Sequence, residues 1–89
     1  MVQRTVELVN RLGLHARAAA KFVHVSGRFV ADIVVRHNED EVNGKSILGL
    51  LLLAAPRGSR LTITANGKDE DAAMAALKEL IAQRFGEGE

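Results

Sequence analysis

Leu12-Gly13-Leu14-His15-Ala16-Arg17-Ala18-Ala19-Ala20 sets a glycine turn before a histidine and an alanine-rich run after it. That order places His15 at or beside the N-cap of a helix, where backbone N–H groups lack intrahelical partners. Such an end favours anions through its free donors and through the helix dipole. Arg17 adds a permanent positive charge two residues on. A histidine here puts a nucleophilic nitrogen beside a phosphate-sized anion site. The ordinary alternative is a helix-terminal histidine with a solvated arginine nearby.

Working outward, the alanines carry a helix over Ala16–Ser26. Ala19, Phe22, Val23 and Ser26 fall on one stripe at spacings of three and four, and Gly27 follows as a C′ residue. Upstream, residues 2–9 read as a strand, with Val6 and Leu8 on one face and Thr5 and Glu7 on the other. Downstream, residues 31–37 read as a second strand with Ile33 and Val35 inward. Residues 38–41 make a polar turn, and residues 41–43 pair back as a short third strand. Asn43-Gly44 turns the chain again, and Ser46 reads as the N-cap of a short helix over the run Ile47-Leu48-Gly49-Leu50-Leu51-Leu52-Leu53. A buried strand would show the same apolar run. Leu61, Ile63 and Ala65 alternate with Thr62 and Thr64 in a fourth strand. Asp69 is placed to cap the last helix, with Glu70 and Asp71 at its positive end. Ala73, Leu77, Leu80, Ile81 and Phe85 form the core face of that helix. Gly86 ends it, and residues 87–89 form a frayed tail. The order βαββαβα predicts an α+β two-layer open-faced sandwich, a sheet covered on one face by helices.

Composition narrows the function classes. Eighty-nine residues make one small domain, residues 1–89, without room for a large enclosed cavity, so a surface site or a protein partner is expected. There is no cysteine, and no histidine spacing of metal-site type accompanies His24 or His37, so no metal and no cofactor are expected. A net charge of +1 and only three aromatic residues exclude a nucleic-acid footprint. The N-terminal residues lack an apolar signal core. The longest apolar run, residues 50–56, is far short of the ~20 residues of a membrane helix. A soluble cytoplasmic protein, a monomer without membrane insertion, is expected.

Gly13-Leu14-His15-Ala16-Arg17 resembles the phosphorylation motif of the HPr family, the histidine phosphocarriers of the bacterial phosphoenolpyruvate-dependent phosphotransferase system. Val42-Asn43-Gly44-Lys45-Ser46-Ile47-Leu48-Gly49 resembles that family's regulatory-serine segment, and Gly67, Asp69 and Glu70 match the start of its last helix. The resemblance covers nearly the whole chain. It implies an antiparallel four-stranded sheet in the order 1-4-2-3, with the first and last helices on one face. It implies that His15 accepts a phosphoryl group from enzyme I and passes it to IIA domains, in sugar transport, with Arg17 as electrostatic partner. The chain is then a carrier acted on by other enzymes rather than a free-standing enzyme. The resemblance also makes Ser46 a regulatory phosphorylation site, served in some members by an HPr kinase/phosphorylase. It gives a partner-binding face on the first helix and the Ser46 segment, here Ala16, Ala20, Lys21, Ile47, Leu48 and Leu51. Ala18 departs from the pattern, which usually has proline after the arginine.

The residues themselves fit that chemistry. A carrier needs a nucleophile that also releases the group; a phosphorylated imidazole is a better leaving group than a serine ester, and neutral imidazole is available near pH 7. Charge on the transferring phosphoryl oxygens calls for fixed donors and cations, which Arg17 and the helix-start amides supply without a metal. A short helix cannot bury every side of an all-leucine run, so part of residues 47–53 is expected at the surface as a docking patch. Arg17, Lys21, Lys45 and Arg57 are candidates to ring it. Two readings compete: a regulatory protein of the same fold in a nitrogen-type branch, and a small-ligand-binding α/β module. The pair His15 and Arg17 argues against the second.

Overall fold

The fourth strand shows how the sequence closes the fold. Leu61, Ile63 and Ala65 are fully buried, while Thr62 and Thr64 between them are half-exposed. A period of two buries one face of a sheet and leaves the other wet. In the computed structural model, which describes residues 1–87, the elements are β1 (Val2–Glu7), α1 (Ala16–Ser26), β2 (Asp32–His37), β3 (Asp40–Asn43), α2 (Ile47–Leu52), β4 (Arg60–Asn66) and α3 (Glu70–Ala82). A single 3-10 turn, Arg84–Gly86, follows. The strands form one antiparallel sheet in the order β1-β4-β2-β3. The leucine-rich run is a helix, not a strand.

One face of the sheet carries the core. Ile33 and Val35 of β2 and the three apolar residues of β4 meet Ala18, Ala19 and Phe22 of α1 and Ala73, Met74, Leu77 and Ile81 of α3 in a single buried cluster. Helix α3 lies against β1 and β4, and α1 touches both α2 and α3. The outer face is polar: the hydroxyls of Thr5 and Thr62 meet at 3.3 Å, and Gln3 Nε2 donates to Thr64 Oγ1 at 3.2 Å. Such cross-strand pairs hold a solvated face in register without requiring burial.

The element order and sheet order agree with the expectation, and differences appear at element ends. Gly27 is a right-handed C-cap (φ −67°), not a left-handed C′ residue; its N–H bonds Val23 O within the helix end. Asp69 precedes α3 but does not cap it, because its backbone (φ −107°, ψ 25°) is not extended. Its carboxylate turns to the N–H groups of Val30 and Ala31, 2.8 Å each, and ties the start of β2 to the start of α3. Glu70 accepts from the Gly67 N–H at 3.1 Å instead.

The last helix also ends early. Phe85 is buried as expected, yet α3 stops at Ala82. Arg84 and Phe85 both take left-handed φ near +55°, which ordinary residues adopt at a cost of about 1–2 kcal/mol each. That reversal inserts the Phe85 ring into the core and sends Glu87 back across the molecule. Glu87 is therefore not part of a frayed tail; residues 88 and 89 lie outside the described residues.

Candidate functional site

The site is built on the connection from β1 to α1. Leu8 is held on both sides: its N–H bonds Ser59 O at 2.9 Å, and its carbonyl accepts from Gly58 at 2.8 Å. Leu14 N–H bonds Ala55 O at 2.9 Å, pinning the loop to residues 55–59. Between these anchors Gly13 takes φ +66°, and a Cβ there would sit 2.5 Å from Ala55 O. Only glycine fits such a close backbone approach in a left-handed conformation. The buried Asn10 side chain donates to Gly13 O at 2.7 Å and braces the turn from inside.

His15 comes out of this turn as the N-cap of α1, with extended backbone (φ −86°, ψ 179°). The first intrahelical bond runs from Ala19 N–H to His15 O, 2.8 Å. The amides of Ala16, Arg17 and Ala18 precede that bond, so they belong to the free donor set of a helix start. The imidazole does not cap the helix. It is one-quarter exposed, and its Nε2 meets Glu87 Oε2; among the described residues Nδ1 has no hydrogen-bond partner. His15, Ala16, Arg17, Arg11, Leu12 and Glu87 line an open depression of about 470 Å³. Arg17 is exposed and, among the described residues, makes no hydrogen bond or ion pair. Ala18, at the position where the motif usually has proline, is fully buried in the core.

Glu87 is the residue that sequence reasoning missed. Its Oε1 accepts from Asn10 Nδ2 at 3.1 Å while Oε2 takes His15 Nε2. Burial pushes its carboxyl up; the bonds from Asn10 and His15, with attraction to the His15 ring and the Lys21 ammonium, outweigh burial and hold it below the ordinary glutamate range. No local pattern marks a glutamate at position 87 as a neighbour of residue 15; the reversal at Arg84 and Phe85 brings it there.

The other predicted residues fall into two groups. Ala16 and Ala20 are exposed on α1, and Ile47 and Leu48 are exposed on α2, which packs against α1. Leu51 is only half-exposed and rests on the core, while Leu52 is 74% exposed and takes the outward position. Lys21 is half-buried, its ammonium 2.6 Å from Phe85 O. Lys45 donates to Phe29 O at 2.7 Å, so it fastens a loop rather than standing free beside the leucines. Ser46 caps α2 as expected, Oγ accepting from Gly49 N–H at 3.0 Å. His24 is exposed and His37 half-buried. Among the described residues no cluster of histidine and carboxylates is placed to hold a metal ion, and no helix is long and apolar enough to cross a membrane.

The chain matches the family described as "PTS HPr component phosphorylation site" over residues 2–83. It is 49% identical to the phosphocarrier protein HPr of Cupriavidus necator over 89 residues, the full length of both chains. It is also 49% identical to the phosphocarrier protein HPr of Pseudomonas aeruginosa over 85 residues, 94% of each. Among solved structures, HPr-C-His from Thermoanaerobacter tengcongensis superposes with a TM-score of 0.94 at 41% identity, covering 98% of each chain. A phosphocarrier protein HPr from Bacillus anthracis gives 0.86 at 42% identity, covering 90% of this chain and 95% of that one.

Proposed function

This chain belongs to the HPr family, the phosphocarriers of the phosphotransferase system, and on that premise we propose that His15 is the residue that carries the phosphoryl group. The observation that carries the assignment is the placement of the ring: an N-cap imidazole at the rim of an open depression, with Nδ1 unengaged and the Arg17 side chain beside it. The Nδ1 lone pair attacks phosphorus, the bond from phosphorus to the donor breaks, and the donor keeps that electron pair. The developing charge on the equatorial oxygens meets the amides at the start of α1 and the Arg17 guanidinium. Onward transfer runs the same step in reverse toward an acceptor.

Its partners are other proteins of the phosphotransferase system. The donor in this reading is enzyme I and the acceptors are IIA domains. The docking face is formed by Ala16, Ala20 and Lys21 of α1 with Ile47, Leu48 and Leu51 of the Ser46 segment, and Leu52 joins it. Exposed leucines supply apolar contact, and Arg17 steers an acidic partner. Ser46 is a second, regulatory phosphorylation site, addressed by a kinase of the HPr kinase/phosphorylase type. The chain works as a single cytoplasmic domain, as a monomer.

The deciding experiment incubates the protein with phosphoenolpyruvate and enzyme I and reads intact mass. Wild type gains one phosphoryl group, labile in acid and stable in alkali, and His15→Ala gains none. A His15→Ala protein phosphorylated at the wild-type rate moves the site elsewhere.

A further inference from the structure

Glu87 lies beside the reacting ring and has no part in the transfer just described. An ionised carboxylate only accepts hydrogen bonds, so the proton in the His15–Glu87 contact belongs to Nε2. In a neutral imidazole that leaves the lone pair on Nδ1. The contact is held by surrounding structure. Asn10, fully buried, spends one N–H on Gly13 O and the other on Glu87 Oε1, so the turn that presents His15 and the carboxylate that engages it share one brace. The arm that delivers Glu87 passes through left-handed Arg84, Phe85 and Gly86 and is fastened by the buried Phe85 ring and by Lys21 on Phe85 O. Two non-glycine residues in that conformation are a local cost that the rest of the fold sustains, and such costs concentrate where geometry matters.

We propose that Glu87 is a positioning residue for phosphoryl transfer: it holds His15 in the Nε2–H tautomer and fixes the ring so that Nδ1, and not Nε2, faces the depression. The inference rests on His15 as the phosphorylated residue. As the Nδ1–phosphorus bond forms, the ring gains positive charge and loses no proton; Nε2–H keeps its hydrogen bond to Glu87, which stabilises that charge. The arrangement follows the logic of a carboxylate behind a catalytic histidine, where the carboxylate sets tautomer and orientation without taking the proton.

The test uses the full chain and phosphoramidate, a small donor that phosphorylates imidazole nitrogen without a protein partner. Wild type, Glu87→Gln and Glu87→Ala, labelled with 15N in the histidine rings, are followed by 31P and 15N NMR to identify which nitrogen of His15 carries phosphorus and how fast. Wild type forms the Nδ1 product. Glu87→Gln has one acceptor oxygen for two donors, Asn10 Nδ2 and His15 Nε2, so its rate and its share of Nε2 product fall between those of wild type and Glu87→Ala. Glu87→Ala slows Nδ1 phosphorylation by about tenfold, as a misplaced reacting group does, and diverts a measurable share to Nε2. His24 and His37 report in the same sample and keep their wild-type behaviour in every variant. An Nδ1 product formed in Glu87→Ala at the wild-type rate and without Nε2 product overturns the positioning role while leaving His15 as the carrier. Absence of phosphorus from His15 in wild type, with His24 or His37 modified, overturns the carrier assignment and this inference with it.

Discussion

Arg17 is the cleanest separation of chemistry from folding at the residue scale. It is exposed and, among the described residues, its guanidinium has no protein partner. Such a side chain contributes little to stability, so Arg17→Ala is expected to unfold within about 0.5 kcal/mol of wild type. Removing a cation aimed at developing charge costs far more, on the order of 10²-fold in transfer rate. Urea unfolding and phosphorylation kinetics on one preparation check both; parallel loss of stability and rate would make Arg17 structural. Gly13 is the converse case. Its left-handed turn and close approach to Ala55 make it structural, although it stands two residues from His15. The Gly13 turn and the place of Arg17 at the helix start were legible in the sequence because both are local. Glu87 was not, because its partners are residues 10 and 15.

At the scale of the element, α2 has two tasks set by different residues. Ser46 holds its N-terminus by the bond to Gly49, and Leu50 anchors it in the core while Leu48 and Leu52 face out. Ser46→Ala loses the cap and is expected to lower stability by about 1 kcal/mol. Ser46→Asp keeps a good cap, with its charge at the favourable end of the helix, and so holds its melting temperature near wild type. The same charge stands beside the exposed Ile47 and Leu48 and is expected to weaken docking on the proposed face, slowing the phosphorylation proposed for His15 by enzyme I. Thermal melts and initial rates over a range of carrier concentrations separate these effects. A Ser46→Asp protein that is phosphorylated as fast as wild type leaves Ser46 as a helix cap alone. The cap was readable from the serine before an apolar run. Which leucines face outward was not, because the direction of a six-residue helix is set by what α1 and β3 offer it.

For the whole molecule, acid stability depends on carboxylates that join distant segments. The bond from Val30 N–H lowers the Asp69 carboxyl most; burial opposes it, and Ala31 and Lys45 add to the lowering. Glu70 is lowered by its bond to the Met1 ammonium and to Gly67. With folded values below the unfolded ones of 3.8 and 4.5, the unfolded chain binds more protons in acid. Their stabilising contribution is complete above about pH 5 and is lost as pH falls through the folded values. The urea midpoint is therefore expected to drop between pH 5 and pH 3, and Asp69→Asn to drop less over the same interval; equal slopes would exclude Asp69 as a contributor. By itself the sequence determined the strand alternation, the helix over Ala16–Ser26, the glycine turn before His15 and the cap at Ser46. Each of these follows from backbone sterics and the period of neighbouring side chains. Only the tertiary structure decided that Asp69 would tie β2 to α3 instead of capping its own helix, and that Arg84 and Phe85 would reverse the chain to bring Glu87 against His15. Those outcomes depend on polar groups that distant segments leave in need of a partner, and no spacing along the chain records that need.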